Sequence, residues 1–314
     1  MGQRGRSRNA QGDKGGSSRH IGAWIVTVVL LAVLGTGGYF VYRTVTGTLR
    51  SEDCTATGAD GSQVTIVNDR MANAATIAAV ARAKSLPERA TTIALATAQQ
   101  ESKIRNLDYG DRDSVGLFQQ RPSQGWGTAD QIADPVYASG KFFYALLNVK
   151  NWQTVDVGKA AQSVQRSADA SGSSYSQWEE MATVLATTLD AKGGTQLTCR
   201  YNDPKAAAET AGADGLTPRA AALGAALVKQ FSANGAGNAP QYSHSTDGLT
   251  VRIAAGQGLT DPRVLATWAV ASAKNLDVDK VQYADQVWTR SSGKWQTSSS
   301  PVSGTVDVSV VKGG

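Results

Sequence analysis

The chain has 314 residues, 41% hydrophobic and 18% charged, which is enough for one or two globular domains and a membrane segment. The formal charge of +5 is carried by the first 50 residues, so residues 51–314 are close to neutral. This distribution excludes a broadly basic exterior surface, and we expect no nucleic-acid partner.

The N-terminal region predicts a membrane anchor. Residues 1–20 are rich in Gly, Ser and Arg and are expected to be disordered, whereas residues 21–42 contain no charge. A run of that length can cross the ~30 Å hydrocarbon layer as a transmembrane helix in contact with the lipid bilayer. The basic tail then places the N-terminus in the cytoplasm and the remainder of this single-pass cell-membrane protein outside the cell. A cleaved signal peptide is the alternative, but no Ala-x-Ala site follows.

A stalk is expected over residues 43–66. The only two cysteines, Cys54 and Cys199, lie on the predicted exterior side, where oxidising conditions favour a disulfide. Two separate buried thiols are the alternative. We expect no metal site and no cofactor, because the only histidines, His20 and His244, lie on opposite sides of the predicted membrane.

Residues 67–199 are predicted to form a mainly α domain, since Ala-rich apolar spacing dominates this stretch. A capping box, Ser85 to Glu88 with Pro87 in the first turn, indicates the start of the second helix. The predicted helices span 68–84, 86–105, 135–149, 156–167 and 176–190.

Residues 200–215 are predicted to form a linker, and residues 216–314 a small C-terminal α+β domain. Its patterns predict helices at 216–232 and 261–274, and strands at 249–254, 281–290, 294–297 and 305–311. Trp268, Trp288 and Trp295 are expected to pack in this core or to pair across strands. We expect an envelope protein as a possible partner of this domain.

Glu101 is the principal catalytic candidate. In the second helix it shares a stripe with Ala90, Thr97 and Ile104, which are small or apolar. A carboxyl group on the core-facing side loses water, which favours its protonated form, the form that a general acid needs. The alternative is a glutamate at a helix end that reaches solvent or pairs with Lys103 or Arg105.

The segment after Glu101-Ser102 is a polar loop followed by Gly116-Leu117-Phe118-Gln119. Over about residues 67–190 this pattern resembles the superfamily of goose-type lysozymes and soluble lytic transglycosylases. The chain as a whole looks like membrane-anchored lysozyme-like proteins of Gram-positive bacteria. The resemblance implies an extracytoplasmic enzyme that cleaves the β-1,4 bonds of peptidoglycan glycan strands with Glu101 as the acid.

The resemblance also implies a set of substrate-binding residues. Ser102 would fix the backbone beside the acid, Gly116 would let the chain approach the sugar, and Gln119 would hydrogen-bond it. Trp126, which lies between two glycines, is the best aromatic candidate for the cleft, whereas Trp152 and Trp178 are expected in the core. Further candidates from the same segments are Ser114, Leu117 and Gln120.

The family's third motif, Ala-Tyr-Asn-x-Gly, is altered in this chain. In the corresponding segment, residues 160–167, we expect Gln162 and Gln165 to replace the missing pair, and the resemblance implies that Tyr175 stands where the family has a tyrosine near the acid. This change favours an alternative function, a weakly active or inactive lysozyme-like protein that binds glycan or acts as a scaffold in an envelope complex.

A second carboxylate is the remaining open question. Asp108, Asp111 and Asp113 are candidates because they are near Glu101 in sequence; the alternative is a solvated loop in which they form Asx-turns around Gly110. A hydrolase needs such a group. A lytic transglycosylase does not, because the sugar's own 6-hydroxyl attacks the anomeric carbon. The sequence leaves both outcomes open.

Overall fold

The computed structural model describes residues 52–167, 169–194, 196–202, 204–232, 240–254 and 261–314. The predicted cytoplasmic tail, the predicted transmembrane helix over 21–42 and the first part of the predicted stalk lie outside the described residues. Within the part that the structure describes, no helix is long and apolar enough to cross a membrane.

Three short strands form the first sheet: β1 (Asp53–Thr57), β2 (Gln63–Val67) and β3 (Gln196–Cys199). The order is β2-β1-β3, and both pairings are antiparallel. Cys54 lies directly opposite Cys199 in the β1–β3 register, and the two residues form a disulfide. The predicted disulfide is therefore confirmed, and the alternative of two separate thiols is wrong.

The prediction of a mainly α first domain is wrong, because helices and antiparallel sheets both build the described part of the chain. Strand β3 joins a partner that precedes it by about 145 residues. Each of the two strands is only four or five residues long, which is too short for its alternation of buried and exposed residues to be recognised in an Ala-rich sequence. Strand β1 and most of β2 lie within the segment that the sequence assigned to a stalk.

The five predicted helices before residue 199 are present, with ends within a few residues of those expected. Helix α2 (Glu88–Ser102) lies at the centre of this half and is buried from Ala90 to Gln99, because its small Ala and Thr side chains let neighbouring helices approach closely. The predicted capping box at Ser85 does not form, since Pro87 occupies the N-cap without a side-chain hydrogen bond. The helices are α1 (Asn68–Ala83), α2 (Glu88–Ser102), α3 (Ala129–Ile132), α4 (Pro135–Leu147), α5 (Val157–Gln165), α6 (Ser173–Ser176) and α7 (Glu179–Leu189), with a 3-10 turn at Pro122–Gln124.

The second sheet belongs to the C-terminal part and is antiparallel, in the order β4 (Tyr242–His244), β5 (Thr250–Ala254), β9 (Thr305–Val310), β6 (Val278–Tyr283), β7 (Gln286–Thr289) and β8 (Trp295–Thr297). The predicted strand over 281–290 is in fact two strands, because the chain reverses after Tyr283 through Ala284 at φ 46°. Trp288 lies opposite Trp295, so the predicted cross-strand pair is confirmed. The elements are α8 (Pro218–Phe231), β4 (Tyr242–His244), β5 (Thr250–Ala254), α9 (Pro262–Ala271), β6 (Val278–Tyr283), β7 (Gln286–Thr289), β8 (Trp295–Thr297) and β9 (Thr305–Val310).

Residues 52–314 form one compact unit. The buried Tyr201 hydroxyl donates to the Val270 carbonyl at 2.6 Å, and Trp295 Nε1 donates to the Leu197 carbonyl at 3.1 Å. The domain boundaries expected from the sequence, at residues 199 and 216, therefore fall between segments that contact each other directly.

Candidate functional site

An open groove of about 1130 Å³ runs past the C-terminal end of α2. Its walls come from the loop after α2, from one face of α4 and from the end of α5. A groove of this size can take several sugar rings of an extended polysaccharide, in contrast to a small enclosed ligand. The polar and aromatic side chains that line it are Glu101, Asp111, Arg112, Ser114, Gln119, Gln120, Arg121, Gln124, Trp126, Lys141, Tyr144, Asn148, Ser163, Gln165, Arg166 and Ser167.

Glu101 lies in the last turn of α2, is half-buried and borders this groove. The Tyr175 hydroxyl donates a hydrogen bond to Glu101 Oε1 at 2.7 Å. Burial raises the pKa of Tyr175, and the hydrogen bond to the carboxylate adds to this effect, so the phenol stays protonated and remains a donor. The carboxyl group is thus held in one position by a rigid, buried side chain.

The alternative in which Glu101 pairs with Lys103 or Arg105 is wrong for the described residues. The Lys103 ammonium lies 4.8 Å from the centre of the Trp178 ring. Arg105 Nε donates to the Ser102 carbonyl at 3.3 Å. Both cations therefore have other partners, and among the described residues the carboxyl group of Glu101 forms no ion pair on the groove wall.

Ser102, Gly116 and Leu117 hold the loop against the end of α2 and do not line the groove. The buried Ser102 hydroxyl donates to the Leu117 carbonyl at 2.7 Å. Gly116 has φ 80°, and a Cβ at this position would lie 2.7 Å from the Ile132 carbonyl oxygen, so only glycine fits. The segment that resembles the family motif thus fixes the backbone on which Gln119 and Gln120 are carried.

Gln119 and Gln120 both reach the groove, but their side chains differ in exposure and in hydrogen-bond partners. Gln119 Nε2 donates to the Tyr109 carbonyl at 3.2 Å, and its amide oxygen packs against Gly110, where a Cβ would overlap it. Gln120 is 2% exposed; its Nε2 donates to the Ala138 carbonyl, while Oε1 has no partner among the described residues. Gln119 is thus the more exposed of the two amides.

The three loop aspartates differ in their surroundings. Asp113 Oδ1 accepts from Arg121 Nε at 2.7 Å, and Oδ2 accepts from the Ser123 backbone N–H at 2.7 Å. The hydrogen bond from Arg121, supported by Ser123, holds the pKa of Asp113 well below its usual range, so this group stays ionised as a structural anion. Asp111 lines the groove together with Glu101, whereas Asp108 and Asp113 do not.

Gln162 and Gln165, the possible replacements in the third motif, both bind backbone carbonyls. Gln162 Nε2 donates to the Ser167 carbonyl at 2.8 Å, and Ser167 Oγ donates back to its Oε1 at 2.6 Å. Gln165 Nε2 donates to the Phe118 carbonyl at 2.8 Å. The Gln165 amide thus ties the end of α5 to the loop that carries the family-like motif, whereas the Gln162 amide bonds the segment directly after α5.

The predicted site residues therefore fall into two groups. Ser114, Gln119, Gln120, Trp126 and Gln165 line the groove with Glu101, whereas the other five predicted residues lie behind its wall. Trp126 is half-buried in its loop; Trp152 is buried as expected, and the half-buried Trp178 donates to Gln100 Oε1 at 2.8 Å. The second group consists of Ser102, Gly116, Leu117, Gln162 and Tyr175.

The sequence did not predict that one face of α4 forms a wall of the groove, nor that Arg166, directly after α5, lines it. Lys141, Tyr144 and Asn148 recur at i, i+3 and i+7, the spacing of one helix face. The opposite face carries buried residues such as Phe142 and Leu146. A helical-wheel reading of residues 135–149 would have found this polar stripe, although only the fold places it beside Glu101.

Within the described residues, no group of three His, Cys, Asp or Glu side chains lies close enough to hold a metal ion. No protein-family model matches the sequence, and a search of curated proteins finds no significant relative. The lysozyme-like resemblance therefore stays a prediction, based on Glu101-Ser102 and on Gly116-Leu117-Phe118-Gln119.

Proposed function

We propose that this protein cleaves the β-1,4 glycosidic bonds of peptidoglycan glycan strands, with Glu101 as the general acid. The observation that carries the proposal is the position of the Glu101 carboxyl group, which borders an open groove and accepts a hydrogen bond from the buried Tyr175. A fixed carboxyl group beside a polysaccharide-sized groove is what proton transfer to a glycosidic oxygen requires.

The hydrogen bond defines a role for each carboxyl oxygen. Because the Tyr175 hydroxyl donates to Oε1, Oε2 is the oxygen from which Glu101 would deliver a proton to the substrate. That proton passes to the glycosidic oxygen as the bond from this oxygen to the anomeric carbon breaks, which leaves an oxocarbenium-like centre. In a transglycosylase, Glu101, now a carboxylate, then takes the proton of the attacking hydroxyl on the sugar's own C6. In a hydrolase, water attacks with the help of a second carboxylate, and Asp111 is the loop aspartate that lines the groove.

An oxidising compartment outside the cytoplasm is part of the proposal. The Cys54–Cys199 disulfide supports it, because disulfides persist in such compartments and are rare in the cytosol. Peptidoglycan lies in the same compartment, so enzyme and substrate would meet there.

A second candidate function is glycan binding without cleavage. Gln162 and Gln165, which stand at the altered third motif, donate to the carbonyls of Ser167 and Phe118. Amides engaged in this way are not free to orient a sugar, which favours a protein that holds glycan in the same groove without reaching the transition state.

The deciding experiment compares the full chain with its Glu101→Gln variant on purified sacculi. We expect the wild-type protein to release muropeptides and the variant to bind sacculi without release. Glu180→Gln is the matched control, because Glu180 is exposed on α7 and does not line the groove. Mass spectrometry of the products would identify anhydro ends for a transglycosylase and reducing ends for a hydrolase. Equal release by wild type and Glu101→Gln would refute the enzymatic role.

A further inference from the structure

One face of α4 forms a wall of the groove that carries Glu101. Lys141, Tyr144 and Asn148 lie on this face and line the groove. Tyr144 is 70% exposed, although a tyrosine ring is large and mostly apolar. The other face of the helix is anchored in the core by Phe142 and Leu146. The wall is therefore rigid, and its exposed aromatic ring is held at a fixed place in the groove.

The groove also has an imbalance of charge. Of its four cations, Arg121 bonds Asp113 at 2.7 Å, and Arg112 lies 4.0 Å from Asp111. The remaining two, Lys141 and Arg166, have no carboxylate within 4.0 Å among the described residues. Two cations without counter-ions in a concave site raise the local concentration of anions, which a bound ligand can supply.

Lys141 is the more informative of these two cations. It is half-buried, and its ammonium group lies 5.5 Å from the centre of the Tyr137 ring, a contact that holds the charge without neutralising it. A half-buried ammonium group has lost part of its hydration, so an anionic partner stabilises it more than it would a fully exposed lysine.

We propose that Lys141 and Arg166 bind carboxylate groups on the peptide substituents of the glycan strand, while Tyr144 stacks against one of its sugar rings. The inference rests on the proposed function in taking peptidoglycan as the occupant of the groove. It adds that the groove selects peptide-bearing strands over bare ones. A neutral polysaccharide such as chitin would meet Tyr144 and leave both cations without a partner.

The test measures binding by the full chain with Glu101→Gln, which removes cleavage from the assay. Three ligands of equal chain length are compared: peptidoglycan oligomers with stem peptides, the same oligomers after amidase treatment, and neutral chitin oligomers. All are freed of phosphate polymers with hydrofluoric acid, and untreated oligomers form an additional arm. We expect peptide-bearing oligomers to bind about tenfold more tightly than the other two, with a preference that weakens as salt rises.

Variants in the same background assign the effect to residues. Lys141→Gln and Arg166→Gln are each expected to reduce the tenfold preference to about threefold, and the double variant is expected to remove it. Lys150→Gln is the control, because Lys150 is exposed shortly after α4 and does not line the groove. Tyr144→Ala is expected to weaken binding of all three ligands about fivefold, unlike Tyr109→Ala at an exposed position outside the lining.

The outcomes separate this inference from the proposed function. Equal affinity for peptide-bearing and peptide-free oligomers, or an unchanged preference in Lys141→Gln and Arg166→Gln, would overturn it. Tighter binding of the phosphate-bearing oligomers alone would also overturn it, since phosphate would then be the recognised anion. A preference for peptide-bearing oligomers without any cleavage by the wild-type protein would support the inference and refute the proposed cleavage of glycan strands.

Discussion

Removal of the Cys54–Cys199 disulfide tests how the first sheet contributes to stability. The perturbation is the double variant Cys54→Ala, Cys199→Ala. Both cysteines are fully buried and lie opposite each other in the β1–β3 pair. Alanine is small and apolar, so each replacement fits the same place without burying a new polar group. The change therefore acts mainly on the cross-link.

The expected loss follows from the length of chain that the disulfide closes. A sequence separation of 145 residues corresponds, in the chain-entropy relation, to ~5 kcal/mol of stabilisation through the unfolded state. Single domains are stable by only ~5–15 kcal/mol in total. The variant should therefore lose a third or more of its stability, and its unfolded state should expose more surface.

Urea unfolding of the full chain, followed by tryptophan fluorescence, measures this loss. We expect a lower midpoint in the variant and a larger dependence of the unfolding free energy on urea, because the unfolded chain is no longer cross-linked. Wild type in reducing agent should match the variant, and the variant itself should not respond to reductant. A free energy of unfolding within ~1 kcal/mol of wild type would refute the reasoning.

Three further changes test the site and its loop. Tyr175→Phe should lower muropeptide release ~10–100-fold at unchanged stability, because it removes one hydrogen bond to the Glu101 carboxyl group and keeps the buried ring. Gly110→Ala should destabilise the protein by ~1–3 kcal/mol, since the new Cβ would lie 2.7 Å from the Ser114 carbonyl oxygen and would also displace the Gln119 amide; thermal unfolding measures this. Asp113→Asn should remove a contribution to stability that depends on the ionised carboxylate. The melting temperature of the variant should therefore lie below that of wild type near neutral pH, and the difference should shrink in acid.

The sign of the last effect follows from the hydrogen bonds of Asp113. Arg121 lowers the folded-state pKa of this carboxyl group below its usual value of 3.8, so its contribution is complete above that pH. It is lost as pH falls through the lower folded-state pKa. The two proteins should therefore differ most near neutral pH and converge in strong acid. A difference that grows on acidification would contradict this account.

Controls for the other two changes come from the same elements. Gly140→Ala lies inside α4, where the nearest atom to a new Cβ is 3.9 Å away, so it should stabilise the protein by ~1 kcal/mol. The opposite signs expected at Gly110 and Gly140 separate steric overlap from a general effect of replacing glycine. For Tyr175→Phe, unchanged sacculus binding is required, because a loss of binding would indicate a disturbed groove.

Local signals in the sequence predicted the helices well. Proline at the first helical position and apolar spacing gave α4, α8 and α9 within a few residues of their ends. The capping box at Ser85 failed, because the helix begins after Pro87 without a side-chain cap. The reversal at Ala284 was missed because the β-branched pattern continues on both sides of a short turn.

For the candidate site, the sequence identified Glu101 and the loop after it, because both lie within twenty residues of each other in one pattern. It did not predict the α4 wall or Arg166, which lie 40 to 65 residues further along the chain. Gln162 and Gln165 were both predicted to bind substrate; only Gln165 lines the groove, and both amides donate to backbone carbonyls. The number of residues between two side chains does not indicate which acceptor an amide finds.

The sequence by itself thus determined the helices, the half-buried carboxyl group at the end of α2 and the existence of a disulfide. Each depends on contacts within a few residues or on a count of two cysteines. Only the tertiary structure decided the β1–β3 pairing, the hydrogen bond from Tyr175 to Glu101 across 74 residues and the placement of Lys141 and Arg166 in the groove. Contacts between distant segments depend on how the helices pack, and many packings are compatible with the same local pattern.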